Sequence, residues 1–416
     1  MLMSVLQLME SDYPVIAPEN AIQEALRLAD EITADDPAPL CITEDFSYIS
    51  GALGTAVFLC AALRFQKDPA KASRYRSYVS AVIEGVTEAP AGTPSDLSLS
   101  SGLSGTVHAL LLLRQITDEA LYPELPAKAL DVFLSCPLPL PAGYSDLYLG
   151  TAGCIAVLCE LIENSSSLPL DFPSKPLSTL IKRLVSGLER LLSERKLFIN
   201  KRLLWDPVRT GKAVSGLGHG MLGIGAVLLR GAQILQNVPE AVSNTFLTDL
   251  KTAAQDALCF ELEAYQPSLT EWPDLRPKSS LSKSLHGICS GAPGIGLGLL
   301  SLSETTETKE VKDLLSLSQH SCLNAPMRET DHLCCGKASL VEYFLVRNAK
   351  LHSQEDYEAV GRILSFMCNE RLRQNSGRYR FSPVLSETDS SLFFGSAGIG
   401  YEYLRYALPS LPPILP

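Results

Sequence analysis

The sequence predicts an all-α protein, a double-layered α/α toroid of seven helical hairpins. Three observations carry that expectation: a Gly-x-x-Gly pattern that recurs seven times, amphipathic stretches between the copies, and a composition suited to a large buried core. Periodicity is weighed first, because repeats of a few tens of residues decide a fold before any domain boundary does.

The copies read "SGALGTAVFLCAAL" from Ser50, "SGLSGTVHALLLL" from Ser101, "LGTAGCIAVLCEL" from Leu149, "HGMLGIGAVLL" from His219, "SGAPGIGLGLL" from Ser290, "CGKASLVEYFL" from Cys335 and "FGSAGIGYEYL" from Phe394. Their first glycines, Gly51, Gly102, Gly150, Gly220, Gly291, Gly336 and Gly395, lie about 45 to 70 residues apart, which leaves room in each repeat for a second helix. Between them run stretches such as "AIQEALRLADEI", "LSTLIKRLVSGLERLLSE" and "DYEAVGRILSFMCNERL", with acid and base gathered on one face. Each repeat therefore reads as a polar helix, a loop and an apolar helix. A helix that is hydrophobic nearly all round belongs inside, so the amphipathic set should surround the apolar one. The glycines are expected to allow close backbone approach and a positive φ in the loop ahead of each inner helix. One Gly-x-x-Gly alone is ordinary small-residue packing between helices; seven in register place their loops at one shared mouth.

The bulk numbers agree. The chain has 416 residues, 46% of them hydrophobic and only 19% charged, which suits a compact globule and opposes disorder. Residues 1–416 are expected to form one domain, standing alone or as a piece of a longer chain. A net charge of -11 without a basic run argues against nucleic acid as a partner. "MLMSVLQLMESDYP" lacks a cationic leading segment and meets acid at Glu10 and Asp12, so no export signal is read. The most span-like stretch, "GICSGAPGIGLGLLSLS", is broken by glycine and polar in its first half, and no membrane span is expected. Eleven cysteines, an odd number scattered along the chain, point to a reducing, cytoplasmic location.

The chemistry should sit beside the glycines. Cys289 lies two residues before Gly291, Cys334 and Cys335 immediately before Gly336, and His219 immediately before Gly220. If the repeats superimpose, these side chains converge, and three thiols with an imidazole make a soft, zinc-type donor set. Cys289, Cys334 and Cys335 are assigned as metal ligands with a fourth position open. A buried structural cysteine pair and a redox couple are the other readings of the adjacent thiols. The remaining cysteines, such as Cys60, Cys154, Cys159 and Cys259, are expected to be small core hydrophobes within apolar helices. His286 and His332, each three residues from a proposed ligand, are expected to be exposed loop histidines, with a place beside the metal as the alternative.

At these residues the sequence resembles the LanC-like lanthionine synthetase cyclases, along essentially the whole chain. "CSGAPGIG" looks like the family's Cys-x-Gly-x-Pro-Gly motif and "CCGKAS" like its Cys-His-Gly motif; "SGLGHGMLGIG" and "DLYLGTAG" match two further repeats. "EWPDLRP", from Glu271 to Pro277, and the ending "YALPSLPPILP" are similar to the cyclase domain of class II lanthipeptide synthetases, a subset of which carries three cysteine zinc ligands. The sequence departs from the family's pattern at Leu285, Ile288, Ser290 and Ser339. These departures leave the metal ligands intact.

The resemblance implies a zinc-dependent enzyme. It would add peptide cysteine thiolates to dehydroalanine or dehydrobutyrine, forming lanthionine and methyllanthionine rings. The implied partners are a dehydrated precursor peptide and a dehydratase, as a linked domain or a separate protein. His219 is the candidate acid/base, since an imidazole near pKa 6.5 transfers protons in both directions around neutrality. Asp146 would orient His219 or accept the thiol proton; a helix N-cap is its plain alternative. Competing functions are a zinc-dependent thiol-alkylating or glutathione-adding enzyme and a non-catalytic peptide-binding toroid. A carbohydrate-processing toroid needs paired acids at the mouth, where the loops offer only Asp146 clearly.

Overall fold

Helices form where the repeat pattern places them. The structure, a computed structural model, describes residues 3–34, 45–88, 96–117, 125–135, 143–165, 177–276, 286–302, 308–374, 376–381 and 389–416. Leu285 and Pro277 lie outside the described residues. Among those described are fifteen helices and one two-stranded sheet. By internal contacts the chain divides into two compact units. The first comprises Met1–Ala91, Ala109–Leu121 and Ser321–Leu415; the second comprises Gly92–His108, Tyr122–His320 and Pro416.

In the first unit the inner helices are α3 (Ala52–Leu63), α13 (Lys337–Leu351) and α15 (Ser396–Ala407). α3 packs on α4 (Pro69–Glu88), α13 on α14 (Gln354–Arg373), and α15 on α2 (Pro18–Ile32), while α15 also lies against both α3 and α13. In the second unit α7 (Thr151–Glu163) packs on α8 (Leu177–Ser193) and α9 (Met221–Gln236) on α10 (Asn244–Ala264). α9 also touches α7 and α11 (Ala292–Leu300). The division between apolar and amphipathic helices follows the sequence. Every residue from Ala52 to Ala62 in α3 is buried, as is all of α11. α8 instead buries one stripe, Leu180, Ile181, Leu184, Gly187, Leu188 and Leu191, at helical spacing.

A lead-in loop precedes each inner helix and ends at its glycine, and six of these loops are described over seven residues. The first helical N–H reaches back to the carbonyl of the loop's first residue: Ala52 to Asp45, Leu103 to Asp96 and Thr151 to Tyr144 at 3.1 Å, Met221 to Val214 at 2.9 Å. Lys337 to Thr330 at 3.0 Å and Ser396 to Asp389 at 2.9 Å repeat the contact. Because the loop doubles back over its own glycine, a Cβ there would collide with loop backbone. The expected positive φ holds only at Gly291, at +123°. Gly51, Gly150, Gly220, Gly336 and Gly395 are extended, with φ between -111° and -122°, and close approach alone is their reason for being glycine.

The fifth position of the loop forms a backbone rung to the next loop. In the second unit Ser100 N–H donates to Tyr148 C=O at 2.9 Å, Tyr148 to Gly218 at 3.1 Å, and Gly218 to Cys289 at 3.1 Å. In the first unit Cys334 donates to Phe393 at 2.9 Å and Phe393 to Ile49 at 3.1 Å.

One element departs from the all-helical expectation. β1 (Leu197–Ile199) and β2 (Arg202–Leu204) pair antiparallel, turned by Asn200 and Lys201 at φ +49° and +66°, the two-residue turn that suits hairpin twist. Among the described residues no helix is long and apolar enough to cross a membrane.

Candidate functional site

Two lead-in loops of the second unit bring His219 and Asp146 together. Asp146 is the third residue of its loop and wholly buried. Its Oδ1 accepts the Leu149 N–H at 2.9 Å, and its Oδ2 lies 2.6 Å from His219 Nδ1. His219, the sixth residue of the following loop, keeps 20% of its side chain exposed, and Tyr148 stands edge-on to its ring at 5.2 Å. Burial pushes the Asp146 carboxyl above its ordinary range, opposed by the hydrogen bond and charge of His219. A buried carboxylate on Nδ1 leaves Nε2 as the imidazole's outward nitrogen. The helix cap itself is Gly150, so Asp146 organises the loop and the histidine.

Cys289 holds the fifth position of its loop and is buried. Its carbonyl receives Gly218 N–H, next to His219. Gly216, at φ +114°, allows this approach, since a Cβ there would stand 2.7 Å from the Cys289 oxygen. Both loops are held by glutamates. Glu261 of α10 accepts Gly216 N–H at 2.9 Å and Leu222 N–H at 2.8 Å on one oxygen. Glu271 accepts Ala292 N–H at 2.7 Å and Trp272 N–H at 2.8 Å on one oxygen and meets His286 Nδ1 with the other.

In the first unit Cys334 and Cys335 hold the fifth and sixth positions of their loop. Cys334 is buried and Cys335 half-buried, with His332 Nε2 3.8 Å from the Cys335 sulfur. The Cys335 thiol is pushed down to about 4 by the hydrogen bond from Cys334, against burial, with further help from His332 and Arg328. His332 is buried beside Phe394, and its Nδ1 has no hydrogen-bond partner among the described residues. Lys337 and Asp331 fasten this loop: Lys337 Nζ donates to Asp331 Oδ1 at 2.6 Å, and Arg380 N–H donates to Asp331 Oδ2 at 2.7 Å.

Several expectations change. His286 and His332 are buried and not exposed, because both loops fold back over them. Cys60, Cys154 and Cys159 are core residues, but Cys259 is half-buried on the amphipathic α10. Asp146 is not alone in the loops: Asp45, Asp96 and Asp389 open three others and accept Ser47, Ser98 and Ser391 N–H at 2.8 to 2.9 Å. Glu261 and Glu271 carry no motif of their own; the one signal for them is the absence of an aspartate at Val214 and Leu285.

The described cysteines stand outside any disulfide. The donor set suits zinc chemically, being thiols of which one already favours the thiolate. Among the described residues no three His, Cys, Asp or Glu groups are gathered as a metal cluster. Cys289 belongs to the second unit and Cys334 and Cys335 to the first.

No curated protein sequence matches the chain. Among solved structures, one described as "Nisin cyclase" is similar over 95% of this chain and 95% of its own, with TM-score 0.62 and 15% identity, a likeness of fold. The family described as "Lanthionine synthetase C-like protein" matches residues 43–415, and the chain belongs to that family.

Proposed function

We propose that the protein is a zinc-dependent peptide cyclase that closes lanthionine and methyllanthionine rings, with Cys289, Cys334 and Cys335 as the metal ligands. One observation carries the reading. Cys289 and Cys334 occupy the same fifth position of the same repeated loop, Cys335 follows in the sixth, and the sixth position elsewhere holds His219 on its buried Asp146. In this reading the seven hairpins form a double-layered α/α toroid with these loops at one mouth. The similarity of fold to a nisin cyclase supports it.

The reaction joins the sulfur of a peptide cysteine to the β-carbon of a dehydroalanine or dehydrobutyrine. Electrons move to the α-carbon enolate, which then takes a proton. Zinc, when bound, would lower the pKa of the substrate thiol from about 8.5 so that the thiolate prevails near neutral pH. His219 moves the proton at its Nε2, taking it from the thiol or giving it to the enolate carbon. Asp146 holds Nδ1–H and so fixes the tautomer that this requires. The rung from Gly218 to Cys289 holds the acid/base beside the loop of the first ligand.

Metal content tests the proposal. About one zinc per chain is expected in the wild type. It should be lost in Cys334→Ala and in Cys335→Ala; retention in either variant would overturn the ligand assignment.

A further inference from the structure

Loops that carry candidate chemistry in the second unit are held differently from those that do not. The loop from Asp96 is held by its own first residue, whose carboxylate takes the Ser98 N–H. The loops bearing Asp146, His219 and Cys289 have no aspartate in the sequence at the position of Asp96, where Tyr144, Val214 and Leu285 stand, and each is gripped by a glutamate from outside the loop. Glu194 accepts Ser145 Oγ–H at 2.7 Å and Thr151 Oγ1–H at 3.0 Å. Glu261 brackets His219 by taking the N–H groups of Gly216 and Leu222. Glu271 brackets Cys289 by meeting His286 and taking the Ala292 N–H. The last two are joined, since Trp272 donates Nε1–H to the Glu261 carbonyl at 2.8 Å and its own N–H to the Glu271 carboxylate at 2.8 Å.

We propose that Glu261, Trp272 and Glu271 form a buried brace that positions the His219 loop and the Cys289 loop as one body. The inference rests on the cyclase reading for its purpose, but its geometry is independent of it. Glu261 is wholly buried, and both of its backbone donors fall on one oxygen, while the other oxygen has no hydrogen-bond partner among the described residues. A neutral glutamine offers the same accepting oxygen, so the brace needs the acceptor and not the charge. The His219 loop cannot relax around a lost acceptor, because the Gly216 amide of the loop and the Leu222 amide in the first turn of α9 would be left buried and unpaired.

The test uses the full-length protein with Glu261→Gln, Glu261→Leu and Trp272→Phe, followed by hydrogen–deuterium exchange and by affinity for zinc alone. Glu261→Leu is expected to speed exchange about tenfold in both 214–222 and 286–292 and to weaken zinc about tenfold or more. Glu261→Gln should restore both readouts to within about threefold of wild type. Trp272→Phe removes the joining indole N–H together with part of the buried ring and leaves Glu261 in place, so it keeps the test available if the leucine variant does not fold; about fivefold faster exchange in both loops is expected. Faster exchange confined to 214–222, or a folded Glu261→Leu protein with wild-type zinc affinity, overturns the brace. A wild type that takes up no zinc sinks the proposed function instead, and the exchange comparison still decides the brace.

Discussion

His219 Nδ1 and Asp146 Oδ2 stand 2.6 Å apart, with the carboxylate buried and the imidazole one-fifth exposed. In the proposed cyclase the pair has an inner member that fixes geometry and an outer member that would meet substrate. His219→Gln should lower ring closure in a dehydrated, cysteine-containing peptide by about 10² to 10⁴. Zinc content should be unchanged. Asp146→Asn should lower the rate and leave peptide binding intact, because it disturbs the tautomer and not the substrate surface. Loss of free thiol, followed over time in each variant, measures both.

In the proposed zinc site the sixth loop position would also tune charge. Three thiolates around Zn²⁺ leave a formal charge of -1, so a fourth thiolate from substrate would be held at a more electron-rich centre than one with an imidazole ligand. Cys335→His should therefore close rings more slowly or more selectively. Equal rates and equal ring patterns would remove this expectation.

Two glycines separate backbone strain from crowding. Gly291 has φ +123°, and an added Cβ would stand 2.7 Å from His286 Cα; Gly211 has φ +76° with nothing within 4 Å. Gly211→Ala should cost about 1–2 kcal/mol, the cost of a left-handed residue. Gly291→Ala should cost more, with loss of the loop carrying Cys289. Urea midpoints of the two variants at a common slope decide this.

Glu261 makes stability depend on pH. Burial raises its carboxyl to about 8, opposed by the amides of Gly216 and Leu222, from an ordinary value of 4.5. Between these values the folded protein holds a proton that the unfolded chain has released, so this group lowers stability as pH rises from 4.5 to 8 by up to about 1.4 kcal/mol per unit. Glu261→Gln removes the contribution. Its melting temperature relative to wild type should therefore climb across that window and level off above it; a constant offset would rule out a raised pKa.

The seven loops were legible because a glycine that must admit backbone leaves a fixed mark in the sequence. So were inner helices such as α3 and α11, whose apolar residues occupy every face. The grip on those loops was not legible. Glu261 and Glu271 act on N–H groups, which have no letter in the sequence, and they lie about 40 and 20 residues from the amides they hold. His286 and His332 run against the expectation of exposure for a related reason: a histidine in a loop suggests a surface turn, but these turns fold inward. The expected positive φ held at Gly291 alone, since doubling back over a glycine crowds its Cβ position whether or not φ changes sign.

The backbone rung at the fifth loop position has a consequence of its own. It is made entirely by peptide groups, and its side chains within the second unit are Ser100, Tyr148, Gly218 and Cys289, as different as a side chain can be. The position behaves as a socket whose fitting is interchangeable. A donor, an aromatic ring or no side chain at all can be installed there without redrawing the frame, so the scaffold and its reactivity can be altered separately.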